Sequence, residues 1–182
     1  MIYLYDLIWV FVILFGIIGV FRGAAKELLV TVGVLVALFF TFLLESSVDF
    51  IGKDLKAMNN GEFLMIMRLV MLAVLILAGY QTPYRDRLPF KQKISANLKV
   101  EKLLGFVIGA LNGFLIFGTI WFYLSDANYP KPLDFIHPPT GSGIDPKRLQ
   151  EMLGILPPNW LKPPAIYFSI AIIITIVLVM LV

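Results

Sequence analysis

The chain contains no cysteine. Disulfide frameworks, thiolate metal centres and cysteine nucleophiles are therefore excluded. It contains a single histidine, His137, which rules out a multi-histidine metal or haem site within this chain. Charge is also scarce. Only 15% of residues are charged, against about a quarter in an ordinary soluble domain. Lys and Arg number 15 against 12 Asp and Glu. That excess is too small and too unevenly placed to suggest a nucleic-acid partner. The sequence lacks a phosphate-binding glycine loop, an HExxH pair and a dinucleotide fingerprint. Thr140-Gly141-Ser142-Gly143 comes near the GxSxG of a nucleophile elbow but misses its spacing. It also lies in a proline-rich stretch rather than at a strand-to-helix turn. Ser142, His137 and Asp134 or Asp145 therefore do not read as a hydrolase triad. The expectation is a non-enzymatic chain with no cofactor.

What the sequence has in excess is apolar surface, at 59% of its 182 residues. A globule of this size still exposes much of its surface, so lipid is the natural solvent for that excess. A membrane-spanning helix needs about 20 mostly apolar residues. Four runs meet this: Tyr3–Phe21, Leu28–Leu44, Phe63–Tyr80 and Leu103–Leu124. A fifth, Ala165–Val182, is just long enough. None alternates as a barrel strand would. The expected fold is an all-α integral membrane protein, with a four-helix core and a fifth C-terminal transmembrane helix. The first run has Asp6 where a secretory signal would carry positive charge, so it reads as a retained helix.

The connections divide the chain into a core over 1–124, a proline-rich extracytoplasmic loop over 125–164 and a C-terminal helix over 165–182. Arg22–Glu27 allows only a tight turn, which makes the first two helices a hairpin. Glu45–Glu62 reads as a polar loop around the turn signal Asn59-Asn60-Gly61. Ser125–Pro164 holds nine of the eleven prolines. Within it, Asp145-Pro146, then Leu149, Met152, Leu153 and Gly154, marks a short capped helix.

Positive residues set the orientation. Arg22 and Lys26 in the first connection, with Arg85, Arg87, Lys91, Lys93, Lys99 and Lys102 in the third, form the denser side. That side is expected in the cytoplasm, with the N-terminus outside. The same residues suit contact with an anionic leaflet.

Three features stand out within the apolar runs. Gly105, Gly109 and Gly113 are four apart and share one helix face, where glycine lets another backbone approach. Gly19 and Gly23 repeat that spacing. Packing inside the chain is the first reading; a homo-oligomer or partner interface is the second. Asn112 is expected to hydrogen-bond across to a neighbouring helix. Arg68 and Asp6 are charges near an interface. Arg68 reads as snorkelling outward or pairing with Asp6 or Glu62, ahead of an ion or ligand site. Trp121, Tyr123, Trp160 and Tyr167 read as interfacial anchors or partner contacts.

With these residues in view, the chain resembles the CvpA-like family, the colicin V production proteins. Three stretches carry the likeness: Asp6-Leu7-Ile8, then Phe21-Arg22-Gly23-Ala24-Ala25-Lys26-Glu27-Leu28, then the glycine-spaced Leu104–Gly113. They cover about residues 1–124 in family order. Where the family often has Arg, this chain has Asn112. In some relatives a serine protease domain follows the four helices; none is expected here. The resemblance implies an inner-membrane protein of envelope maintenance or export. Its partners would be the lipid bilayer and other membrane proteins. An accessory subunit of a respiratory or photosynthetic complex is the alternative, and a small oligomeric channel or transporter a third.

Overall fold

The computed structural model describes the backbone of residues 4–81, 98–130 and 146–181, and side chains over 7–81, 98–130, 147 and 149–175. Its helices are α1 (Leu4–Arg22), α2 (Ala24–Ser47), α3 (Glu62–Gln81), α4 (Leu98–Asp126), α5 (Pro146–Ile155), α6 (Pro157–Trp160) and α7 (Ala165–Leu181). No strand occurs among the described residues. Among the described residues three stretches are long and apolar enough to cross a membrane: Ala24–Ser47, Met58–Gln81 and Leu98–Asp126. Two shorter apolar stretches, Leu7–Arg22 and Ala165–Thr175, belong to α1 and α7.

The outward faces explain the composition. Val10, Ile13, Leu14, Ile17 and Phe21 on α1 are exposed, as are Phe63, Ile66, Val70, Val74 and Leu77 on α3. Each set recurs at three- and four-residue steps and so forms one stripe along its helix. A soluble protein would bury such stripes; a membrane solvates them. Between the helices, Val30, Val34 and Ala37 of α2 meet Leu72 of α3 and Leu115 and Ile116 of α4 in the core.

Glycines fix which helices touch. A methyl on Gly19 of α1 would land on the Gly105 carbonyl oxygen of α4, and one on Gly105 would land on the Gly19 oxygen. One on Gly113 would lie 2.8 Å from the Phe11 oxygen. As numbers rise along α4 they fall along α1, so the two helices run antiparallel with backbones in contact. The second glycine contact joins α2 and α3, where Gly33 faces Leu75 and Gly79 faces Leu29. The glycine-lined faces are thus occupied within one chain, which favours the first of the two readings of their spacing. α1 and α3 finish at one end of the bundle, the lower end, and α2 and α4 finish at the other, the upper end.

Local sequence sets the breaks. The hairpin between α1 and α2 is a single residue, Gly23, at φ 85°. This positive φ is readily adopted by glycine and rarely by other residues. Glu27 therefore sits inside the first turn of α2 rather than in a connector. The expected polar loop at Glu45–Glu62 is largely helical instead: α2 runs on to Ser47, a wide π turn covers Phe50–Leu55, and a 3₁₀ turn covers Met58–Gly61. Asn59, Asn60 and Gly61 all take positive φ there, which turns the chain into α3. α4 starts at Leu98, before the expected Leu103. Lys99 and Lys102 are therefore exposed helical residues. Arg85, Arg87, Lys91 and Lys93 lie outside the described residues, as do His137, Ser142, Asp134, Asp145 and the side chain of Asp6.

Beyond the core, the tail docks on the upper end. Leu149, Met152 and Leu153 of α5 and the fully buried Leu156 gather around Trp121 and Ile8. Pro157 seats against Gly118 of α4, where a methyl would lie 2.6 Å from its Cδ. Asn159 Nδ2 donates to the Leu153 carbonyl at 2.6 Å and ties α6 to α5. α7 then leans on α2, with Tyr167 edge-on to Phe39 and Phe42.

Candidate functional site

Two polar clusters interrupt the apolar bundle, one at each end. The lower cluster is centred on Glu27, which is fully buried. Arg22, at the last residue of α1, donates from Nη1 to Glu27 Oε1 at 2.6 Å. Asn112 of α4 donates from Nδ2 to Glu27 Oε2 at 2.9 Å and to the Glu27 carbonyl at 2.9 Å. Thr31, one turn along α2, donates from its hydroxyl to Asn112 Oδ1 at 2.7 Å. The Arg22 guanidinium carbon lies 4.1 Å from the centroid of the Tyr80 ring on α3, a cation–π arrangement. One carboxylate thereby links four helices. A carboxylate taken out of water persists only when paired and hydrogen-bonded, and here both oxygens are engaged.

The upper cluster is centred on Arg68 of α3, which is 6% exposed. It grips Glu45 of α2 in a bidentate pair, Nε to Oε1 at 2.6 Å and Nη2 to Oε2 at 2.7 Å. Its Nη1 donates to Asp126 Oδ2 on α4 at 2.6 Å. The guanidinium carbon also lies 5.1 Å from the Tyr123 ring centroid. The planar fork of Arg suits this geometry, which a Lys could not reproduce. Arg68 therefore does not snorkel; among the described residues its acidic partners are Glu45 and Asp126 and not Glu62, and the side chain of Asp6 lies outside them. Glu62 is six residues away on the same helix, about 120° around its axis. Its carboxylate accepts instead from the Asn59 side chain. Glu45 and Asp126, at the ends of the neighbouring helices, come to Arg68 at its own depth.

Beside this triad lies a cavity of about 470 Å³. Its walls are Leu38, Thr41, Phe42 and Glu45 of α2, Arg68 of α3, and Phe122, Tyr123 and Asp126 of α4. Lys56 and the tail residues Pro158, Leu161, Lys162 and Pro163 complete it. The tail thus supplies one wall of a cavity that remains open at its rim.

Other sequence-marked residues divide between roles. Arg22, expected at the cytoplasmic surface, pairs instead with the buried Glu27. Lys26 is half-buried. Trp121 and Tyr123 are buried rather than interfacial. Trp121 Nε1 donates to the Tyr129 hydroxyl at 3.0 Å. Trp160 and Tyr167 stay half exposed, at 48% each. Glu27, Thr31, Glu45 and Asp126 were not singled out as site residues. A depth count would have found two of them, since Glu45 and Asp126 end their apolar runs at the level where Arg68 enters its own. Among the described residues no group of acidic or histidine side chains is placed to hold a metal ion.

The family model described as "Colicin V production protein" matches residues 5–139. The chain belongs to the colicin V production protein family. The match takes in α1 to α4, both polar clusters and part of the segment that follows, fifteen residues beyond the expected end at 124. For this family member, α5, α6 and α7 lie outside the matched region. No curated protein and no solved structure matches the chain. Membership and the three long apolar helices make it a multi-pass membrane protein.

Proposed function

We propose that this colicin V production family member crosses the inner membrane five times, four core helices plus α7, with its N-terminus outside. In that orientation the lower end, with Arg22, Lys26, Lys99, Lys102 and the basic segment 82–97, faces the cytoplasm. The protein serves envelope maintenance or export without catalysing a reaction. It works by contact with other membrane proteins.

The observation that carries this reading is the closure of the buried charges. Glu27 and Arg68 are each satisfied by groups of the same chain. The two clusters sit at opposite ends, separated by the apolar layer of Val34, Ala37, Leu72, Leu115 and Ile116. Such charges fasten helices together. A pathway through the interior of one chain needs a continuous polar lining or a relay of ionisable groups, and this layer interrupts both there. Function then falls to surfaces: the apolar stripes of α1 and α3, and the docked tail. The alternative of an accessory subunit in a larger respiratory or photosynthetic complex draws on the same tail, whose Trp160 and Tyr167 remain half exposed.

Two experiments test this. Gentle isolation from native membranes, followed by mass spectrometry of what co-migrates, is expected to recover other membrane proteins in fixed proportion; recovery of the free chain alone would reject the contact mechanism. The orientation is tested by single cysteines, which meet no native cysteine background. An impermeant maleimide added to spheroplasts is expected to label Lys53→Cys and to spare Lys99→Cys until the membrane is opened. The reverse pattern would invert the topology.

A further inference from the structure

The upper cavity has an unbalanced distribution of charge. At its inner wall, Arg68 is saturated by Glu45 and Asp126. At its rim stand Lys56 and Lys162, both exposed. Among the described residues neither has an acidic partner; Lys162 Nζ donates only to the neutral side-chain oxygen of Asn159, at 3.0 Å. By contrast Lys53, on the same end, is paired with Asp49 at 2.8 Å. Arg68 with Glu45 and Asp126 carries one net negative charge, so Lys56 and Lys162, on separate segments of chain, leave the lining with one net positive charge. Between rim and core run apolar walls from Leu38, Phe42, Phe122 and Leu161. The cavity lies where α2 and α4 finish and α3 begins, the end of the apolar spans that the membrane reading sets at the interface.

We propose that this cavity binds one anionic phospholipid of the adjoining leaflet, its phosphate held between Lys56 and Lys162 and an acyl chain laid along the apolar wall. A phosphate diester carries one negative charge and acceptor oxygens for both ammonium groups. The apolar wall selects a lipid over a free phosphate, because half of the lining offers nothing to an ion. Asp126 spends Oδ2 on Arg68, and its second oxygen accepts a hydrogen bond from a glycerol hydroxyl of the headgroup. Phosphatidylglycerol carries all three features. Most of the lining lies within the family match, while Pro158, Leu161, Lys162 and Pro163 come from the tail beyond it, so the site joins the two. The inference rests on the membrane reading, and on neither the proposed orientation nor the partner contacts.

The test is native mass spectrometry of the full chain in mild detergent, titrated with phosphatidylglycerol, phosphatidylcholine or inorganic phosphate. One retained phosphatidylglycerol per chain is expected. The paired substitution Lys56→Ala/Lys162→Ala is expected to weaken it about thirtyfold, from the roughly fivefold that each basic residue near an anionic headgroup contributes. Both lysines are exposed, so the variant is expected to fold. Lys56→Arg/Lys162→Arg keeps the lipid, and Lys53→Ala binds as the parent does. Equal retention of phosphatidylcholine, unchanged affinity in the paired alanine variant, or equal occupancy by inorganic phosphate would each overturn the proposal. All three outcomes leave membrane insertion and co-isolated proteins unaffected, so they are distinguishable from a failure of the proposed function.

Discussion

Arg68→Ala is expected to destabilise the folded bundle by about 3–5 kcal/mol, the usual result of removing one partner from a buried ion network. The cause is less the lost attraction than what stays behind. Glu45 and Asp126 would face each other across the cavity with no cation between them, and α2, α3 and α4 would lose their shared tie at the upper end. Thermal unfolding in detergent, followed by far-UV circular dichroism, reads this directly. Arg68→Lys is expected to recover only part of the loss, because an ammonium cannot make the bidentate pair with Glu45. An Arg68→Ala variant as stable as the parent would mean that the network contributes nothing to the fold.

The second large effect is expected at Gly19. Backbone lies against backbone there, so a methyl meets a carbonyl oxygen rather than a flexible side chain. Neither helix can yield without separating along the whole α1–α4 seam, which also carries Gly109 and Gly113. Overpacking usually costs about 1–3 kcal/mol, and Gly19→Ala is placed at the upper end or beyond. Gly154→Ala is the matched control: nothing lies within 4 Å of the added methyl, and helix propensity predicts a gain of about 0.5–1 kcal/mol. Denaturant titration of the two variants in the same detergent should move them in opposite directions. If Gly19→Ala tracked Gly154→Ala, the α1–α4 contact would be wrong.

Much of the bundle was legible in the sequence because long apolar runs average over many residues. Such a run tolerates an error of a few positions without changing its meaning. The runs beginning near Tyr3, Leu28, Phe63 and Leu103 each enclose most of a helix for that reason. Four-residue glycine spacing likewise fixes a face, although not the partner that meets it. The identity of a partner depends on rotation and depth, which no single run contains. Arg68 illustrates this. Glu62 is near in sequence but around the helix, while Glu45 and Asp126 are far in sequence and close in space. Glu27 was hidden by a boundary of a few residues. Taken as the end of a connector it looks solvated; with Gly23 alone making the turn, it becomes a buried residue of α2 and gathers Arg22 and Asn112. The tail was the least legible part, because its docking depends on Leu156 and Pro157 finding Gly118, a match of shape rather than of pattern.

The central claim is that the buried charges are fasteners rather than a pathway. It is tested most directly by removing all of them at one end while keeping shape, in Arg68→Met/Glu45→Gln/Asp126→Asn, and by measuring both unfolding and the proteins that co-migrate from native membranes. Replacing a complete buried ion network by hydrophobic residues of similar volume is often neutral or stabilising by about 1–4 kcal/mol, and the amides at the part-exposed positions 45 and 126 can still meet water. The triple variant is therefore expected to unfold no more readily than the parent and to bring down the same partners in the same proportion. A triple variant that folds normally yet loses its partners would contradict the account, since the charges would then be needed for something other than holding α2, α3 and α4 together.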